Sequence, residues 1–188
     1  MGFCVSLYAI FDREPSDVHR DLGLEPNGET EDFPDSPVSG AMMKSGVYIL
    51  YFNDRAMFGE DAIRPINANS RLLGCNVNET CMYSSLTAIN HGSEEWSVIH
   101  DSSNGVLNLE THGDVPAPFT SIRDDKLSKQ EHDGDGVDHV FDVPVDLFVR
   151  LGGIRYDEDL ESDDPNPWHT LVSTKKPSRW WWPFSKKA

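Results

Sequence analysis

The chain has 188 residues, 38% hydrophobic and 10% aromatic, a content that fits one packed domain and excludes a disordered chain. Sixteen basic residues stand against 32 acidic ones, a formal net of −16. So negative a chain repels phosphate backbones, which argues against direct nucleic-acid binding.

The longest apolar run, Val47 to Phe52, falls far short of the about 20 residues that a membrane-spanning helix needs. No Lys or Arg precedes the apolar stretch at the N-terminus, as a secretory signal requires. The expectation is a cytoplasmic protein. Cys4, Cys75 and Cys81 are odd in number and lack paired spacing, so they read as reduced, buried thiols rather than a disulfide framework.

Phe3 to Phe11 alternates with β-branched and aromatic residues and predicts a strand. Ser16 predicts a helix cap, with the helix running to Leu22 and Asp17 in its first turn. Gly23 to Gly40 is rich in Pro, Gly, Ser and acid and reads as a long surface loop. Gly46 to Phe52 is a clear strand pattern ended by Asn53-Asp54, whereas Arg55 to Ser70 fits neither period. Leu72 to Val77 reads as a short strand. Cys81 to Ile89, Trp96 to His100 and Val106 to Thr111 follow, separated by turn residues, and predict an antiparallel meander. A period of two places Trp96, Val98 and His100 on one face.

Pro116-Ala117-Pro118 leads into a helix from about Phe119 to Gln130, and residues 131–138 form an Asp-Gly loop. Asp142-Val143-Pro144 starts a further helix that Gly152-Gly153 stops, with Val145, Leu147, Phe148 and Leu151 as its buried stripe. The predicted class is α+β, mainly an antiparallel β-meander sheet with two or three helices packed on it. Charge divides the chain. Residues 1–164 carry eleven basic and all 32 acidic residues, a net of −21, and form an acidic α+β domain. Residues 165–188 carry Lys175, Lys176, Arg179, Lys186 and Lys187 with no acid, and form a basic, Trp-rich tail.

Phosphate loops, His-Glu-x-x-His, Gly-x-Ser-x-Gly and Cys-x-x-Cys are missing from the sequence. His91, His100, Asp101 and His112 fall in or beside the meander, a set that suits zinc or an acid-base pair. His100, however, shares a face with Trp96 and Val98, where a histidine fills the core and bonds a carbonyl. Glu131, Asp133, Asp135, Gly136 and Asp142 echo a calcium loop, but with a Glu first and the shorter Asp last. The expectation is no catalytic residue, no metal and no cofactor.

Acidic side chains suited to a basic protein partner are Glu94, Glu95, Asp124, Asp125, Glu131, Asp133 and Asp135. Trp180, Trp181, Trp182 and Phe184, flanked by Lys and Arg, suit an aromatic docking site or a membrane interface. The tail rings are expected to dock on their own domain or on another copy in preference to a membrane or a foreign protein.

The run from Gly74-Cys75 through Met82-Tyr83-Ser84-Ser85 to Trp96-Ser97-Val98-Ile99-His100-Asp101, continued by Phe141-Asp142-Val143-Pro144, resembles a family of small uncharacterised bacterial proteins. So does the Trp181-Trp182-Pro183-Phe184 ending. That resemblance implies no activity and no site residue. In type, a small acidic α+β body without catalytic motifs resembles the immunity proteins that bacteria pair with antibacterial toxins. The leading expectation is therefore a protein-binding module, an immunity-type inhibitor that neutralises a basic toxin or effector. The alternatives are a small metal-dependent or acid-base hydrolase using His100, Asp101 and His112, and an envelope- or membrane-associated protein docked by its tail.

Overall fold

The computed structural model describes residues 2–53, 60–133 and 136–174. Among these residues nine strands form one sheet and four α-helices pack on it, the α+β architecture that the sequence predicts. In chain order the elements are β1 (Cys4–Phe11), α1 (Pro15–Leu22), β2 (Leu24–Glu31), β3 (Val38–Met42), β4 (Tyr48–Phe52), α2 (Glu60–Asn67) and β5 (Arg71–Asn78). β6 (Tyr83–Asn90), β7 (Ser93–Asp101), β8 (Glu110–Gly113), α3 (Pro118–Asp133), α4 (Asp142–Arg150) and β9 (Trp168–Ser173) follow. Across the sheet the order is β2-β9-β3-β4-β1-β5-β6-β7-β8, and every neighbouring pair is antiparallel.

Strand alternation sorts the core into two layers. Val5, Leu7 and Ala9 of β1, Ile49 and Tyr51 of β4, and Leu73, Cys75 and Val77 of β5 face one side. There they meet Val143, Val145, Leu147 and Phe148 of α4 and Phe119 of α3. Tyr8, Ile10, Tyr48, Leu50, Phe52 and Leu72 face the other side, against Val18 of α1 and Ile63 and Ile66 of α2. On that second side the stretch over β5 to β7 is polar: Ser6 Oγ donates to Asn76 Oδ1 at 2.7 Å, and Ser97 Oγ donates to Glu94 at 2.7 Å.

Five readings need correction. The stretch Gly23 to Gly40 is not all loop, because it holds β2 and the start of β3. β2 is an edge strand with β9 as its one strand neighbour and nearly all its side chains exposed, so no apolar alternation announces it. Residues 106–109 lie outside β8, which begins at Glu110, and the Asn108 carbonyl there accepts a hydrogen bond from His100 Nδ1 at 2.7 Å. The tail boundary at residue 165 falls upstream of a strand, since β9 lies inside the sheet with Trp168 buried. Cys4 and Cys81 are exposed, one at a strand start and one in the β5–β6 turn, while Cys75 is buried as expected. Burial pushes the Cys75 thiol up to about 12. α1 begins with Pro15 at its first turn and gains no side-chain cap, so Ser16 lies within the helix.

An ion-pair network fastens the helical layer. Lys126 Nζ of α3 reaches Asp142 at 3.1 Å and Asp146 at 2.8 Å on α4, and Arg155 clasps the same two carboxylates at 2.8 and 2.9 Å. Burial, acting alone, would lower Lys126, but Asp146 and Asp142 outweigh it and hold the ammonium above its ordinary value. Asp142 is likewise raised by burial and lowered further by Arg155 and Lys126, so its carboxyl ends below the ordinary range. Asp142 was the closing residue of the calcium-like pattern, and here its oxygens are taken up by two cations. Glu131 and Asp133 of that pattern sit in the last turn of α3, and Asp135 lies outside the described residues.

Candidate binding cleft and acidic strip

His100 is fully buried, and both ring nitrogens are committed: Nδ1 to the Asn108 carbonyl, Nε2 to Asp138 Oδ2 at 3.0 Å. Asp138 also accepts the Phe141 backbone N–H at 3.1 Å, and Ser84 Oγ donates to the Phe141 carbonyl at 2.6 Å. The histidine thus ties β7 to the segment that enters α4. Neither ring nitrogen is left for a metal or a substrate proton. Asp101, next on the strand, points to the opposite face, and its carboxylate accepts the Ser103 N–H at 3.0 Å. The Ser103 hydroxyl first, and then that backbone bond, hold the Asp101 carboxyl below the usual range. His112 pairs with Ser97 on the far face of β8, and His91 sits in the β6–β7 turn at φ 47°. The four residues are not brought together. Among the described residues no three His, Cys, Asp or Glu side chains form a metal-ligating group.

The acids chosen from the sequence divide between the two faces. Asp124, Asp125, Glu131 and Asp133 are exposed on α3, on the α4 side of the sheet. Three of them have a basic side chain at hand: Arg123 for Asp124, Lys129 for Asp125 and the His139 ring for Asp133, each at 2.8 Å. Glu94 and Glu95 are exposed near the β6–β7 turn, and Glu94 lines a small hollow with Tyr8 and Asn76 on the opposite face. Asp135, Trp180, Trp181, Trp182 and Phe184 lie outside the described residues.

The largest concentration of negative charge is one the sequence reading passed over. Asp157, Glu158, Asp159, Glu161, Asp163 and Asp164 are six exposed acids within residues 157–164. Asp157 is paired with Arg155 at 2.9 Å and Asp163 with Lys44 at 3.1 Å, and the other four have no ion pair among the described residues. The strip is held at both ends. Tyr51 donates to the Tyr156 carbonyl at 2.9 Å, the Tyr156 hydroxyl donates to Glu79 at 2.8 Å, and Trp168 is buried on the far side. The density of acid without an intervening Lys or Arg was the available signal, masked by an overall acidity that made every acidic run look ordinary.

Beside the end of this strip lies a cleft of about 570 Å³, a size typical of ligand sites. α1 supplies Pro15, Ser16 and His19; the sheet supplies Pro26, Met42, Tyr48 and His169; Ser162, Asp164 and Pro167 close the remaining side. β-strand register explains the floor. Met42 is opposite Tyr48, so both side chains rise on the same face. Tyr48 then leans over Gly40, where a Cβ would fall 1.9 Å from its hydroxyl. Glycine at position 40 lets the phenol lie flat and reach His19 Nε2 at 2.5 Å. Burial, and next the neighbouring His169, hold the His19 imidazole below its ordinary 6.5. A neutral ring with its proton on Nδ1 can accept the Tyr48 hydroxyl proton at Nε2. Burial raises the Tyr48 phenol, so it stays protonated.

No protein-family model, curated protein or solved structure matches the chain. The cleft offers proline and methionine faces to a flat apolar guest and hydrogen-bonding groups at the rim, with a file of carboxylates leading away from it. Among the described residues no helix is long and apolar enough to cross a membrane.

Proposed function

We propose that the protein is a binding module that receives a basic protein partner, an immunity-type inhibitor in the sense of masking a cationic effector. The observation that carries this reading is the exposed strip of residues 157–164, where Glu158, Asp159, Glu161 and Asp164 have no ion pair among the described residues. The cations of the acidic body are largely engaged elsewhere: Lys126 and Arg155 hold α4, Arg13 holds Asp21 at 2.7 Å, and Lys129 and Arg123 hold their α3 neighbours. Uncompensated carboxylates on a firmly anchored segment attract a cationic surface from a distance and cost little to order when it arrives. The exposed α3 acids Asp124, Asp125, Glu131 and Asp133 extend the negative field on the other side of the body.

The test is the association rate of a partner isolated from the native cell, measured across salt. The rate falls steeply as salt rises past about 0.15 M, where the Debye length is about 8 Å. Replacing Glu158, Asp159 and Glu161 together with lysine slows association at low salt by at least about tenfold and leaves the melting temperature near the parent value. An acidic partner, or a rate indifferent to salt and to the triple replacement, refutes the reading.

A further inference from the structure

We propose that the first cationic segment to occupy this surface is the chain's own C-terminus: residues 175–188 fold back, a tail indole enters the cleft, and tail lysines lie along the acidic strip. This rests on reading the strip as an acceptor of cations, but not on the existence of a foreign partner.

Three observations converge on that occupant. The first is where the described chain ends. Thr174 donates through its N–H and its hydroxyl to the Gly23 carbonyl at 2.8 and 3.0 Å, so the tail departs beside the C-terminus of α1. His19 in the cleft is four residues back along that helix, about 6 Å of rise. His169 is five residues back along β9, about 17 Å. Trp180 follows Thr174 by six residues, which reach at most about 20 Å. Trp180 to Trp182 are therefore the tail rings that a reversal of direction delivers to the cleft.

The second is shape and chemistry. The apolar part of the lining is Pro15, Pro26, Pro167 and Met42, and Met42 is 45% exposed, a large apolar residue left uncovered at the cleft. Proline faces and aromatic rings are the pair that proline-recognising grooves exploit, here with the roles exchanged. An indole also brings an N–H, which the rim can receive at Ser162, Asp164 or the His169 ring.

The third is charge. The tail holds Lys175, Lys176, Arg179, Lys186 and Lys187 and no acid, whereas the strip holds six acids and no base. Cations stand on both sides of the tryptophans, so an indole seated beside Asp164 has lysine or arginine close to the carboxylates on either side. A partner that uses the same strip must displace the tail, which makes the tail a built-in competitor that tunes capture.

The experiment is fluorine NMR of the full chain grown with 5-fluorotryptophan, at low salt and without partner, with tail signals assigned by Trp→Phe replacement at 180, 181 and 182 in turn. At least one tail signal is displaced from the position of a free fluoroindole, and dilution leaves it there. Met42→Asp returns it to the free position while the Trp96 and Trp168 signals stay in place, which shows that the fold is intact. A second variant, Glu158→Lys with Glu161→Lys, does the same from outside the cleft. Tail signals that all sit at the free position overturn the proposal, as does a displaced signal that ignores Met42→Asp. A displacement lost on dilution assigns the tail to a second copy and overturns it too. So does one that appears only when anionic vesicles are added. No partner is present, so a free tail defeats this inference while leaving salt-dependent partner capture to be judged by its own measurement.

Discussion

Replacing His100 with alanine removes a ring that is fully buried and bonded at both nitrogens. A hydrogen bond to a carboxylate such as Asp138 contributes about 1.5–3 kcal/mol, and one to a carbonyl such as that of Asn108 about 1 kcal/mol. The vacated space adds a cavity cost, and the Asp138 carboxylate, whose side chain is only 10% exposed, is left with fewer donors. The expected loss is about 3–5 kcal/mol. With a urea slope of about 2 kcal/mol per molar, the unfolding midpoint falls by about 1.5–2.5 M at unchanged slope. Asp138→Asn alone is milder, because the Phe141 N–H still has an oxygen to bond. A double-mutant cycle between the two positions gives a coupling of about 1–3 kcal/mol. A midpoint shift in His100→Ala below about 0.5 M at the same slope refutes the structural assignment. It would mean that the fold holds an imidazole it does not need, which is how a reactive histidine behaves.

Gly153→Ala places a methyl group 2.4–2.6 Å from three ring carbons of the buried Phe148, and thermal unfolding should show a loss of about 1–3 kcal/mol. Gly136→Ala, which meets only open space, is the matched control and stays near the parent value. His19 titrates below 6.5 in the folded protein, so the unfolded chain binds its proton more readily. Its contribution is present above pH 6.5 and is lost as pH falls below that value. The melting temperature therefore drops on mild acidification, and His19→Gln flattens the drop; equal slopes for the two proteins refute the argument. Cys4 and Cys81 are exposed and Cys75 is buried with its thiol near 12. A thiol reagent should modify two cysteines quickly and the third only on unfolding, and three fast thiols would contradict the placement of β5.

The centre of the sheet was legible because its physics is local. Val5-Ser6-Leu7-Tyr8-Ala9-Ile10 and Tyr48-Ile49-Leu50-Tyr51-Phe52 bury both faces, and the turn residues of the β5–β8 meander announce hairpins. α4 was legible from Asp142 and Pro144 at its start and glycines after its end. β2 was not, because an edge strand bonded on one side needs neither alternation nor hydrophobicity, and Glu25 and Glu29 guard its exposed length. β9 was hidden by a boundary drawn on charge, which ignored the Trp168, Thr170 and Leu171 side chains that pack inward. Of the site, the structural role of His100 could be read from its neighbours on the strand. The cleft could not. Met42, Tyr48, His19 and His169 meet through pairings between distant segments, and nothing in their local sequence encodes the meeting.

The position of β9 also sets a timetable. β2 is made early, yet the strand that joins it to the sheet comes from residues 168–173, near the far end of the chain. At about 5–20 residues per second, synthesis keeps β2 waiting on the order of ten seconds for its neighbour. Through that interval the outer edge of β3 is also uncovered, because the same strand caps it. A message cut short before residue 168 therefore yields a chain whose sheet ends at β3 with an open hydrogen-bonding edge, prone to pair with copies of itself. Completion of the polypeptide is in this sense the last step of folding.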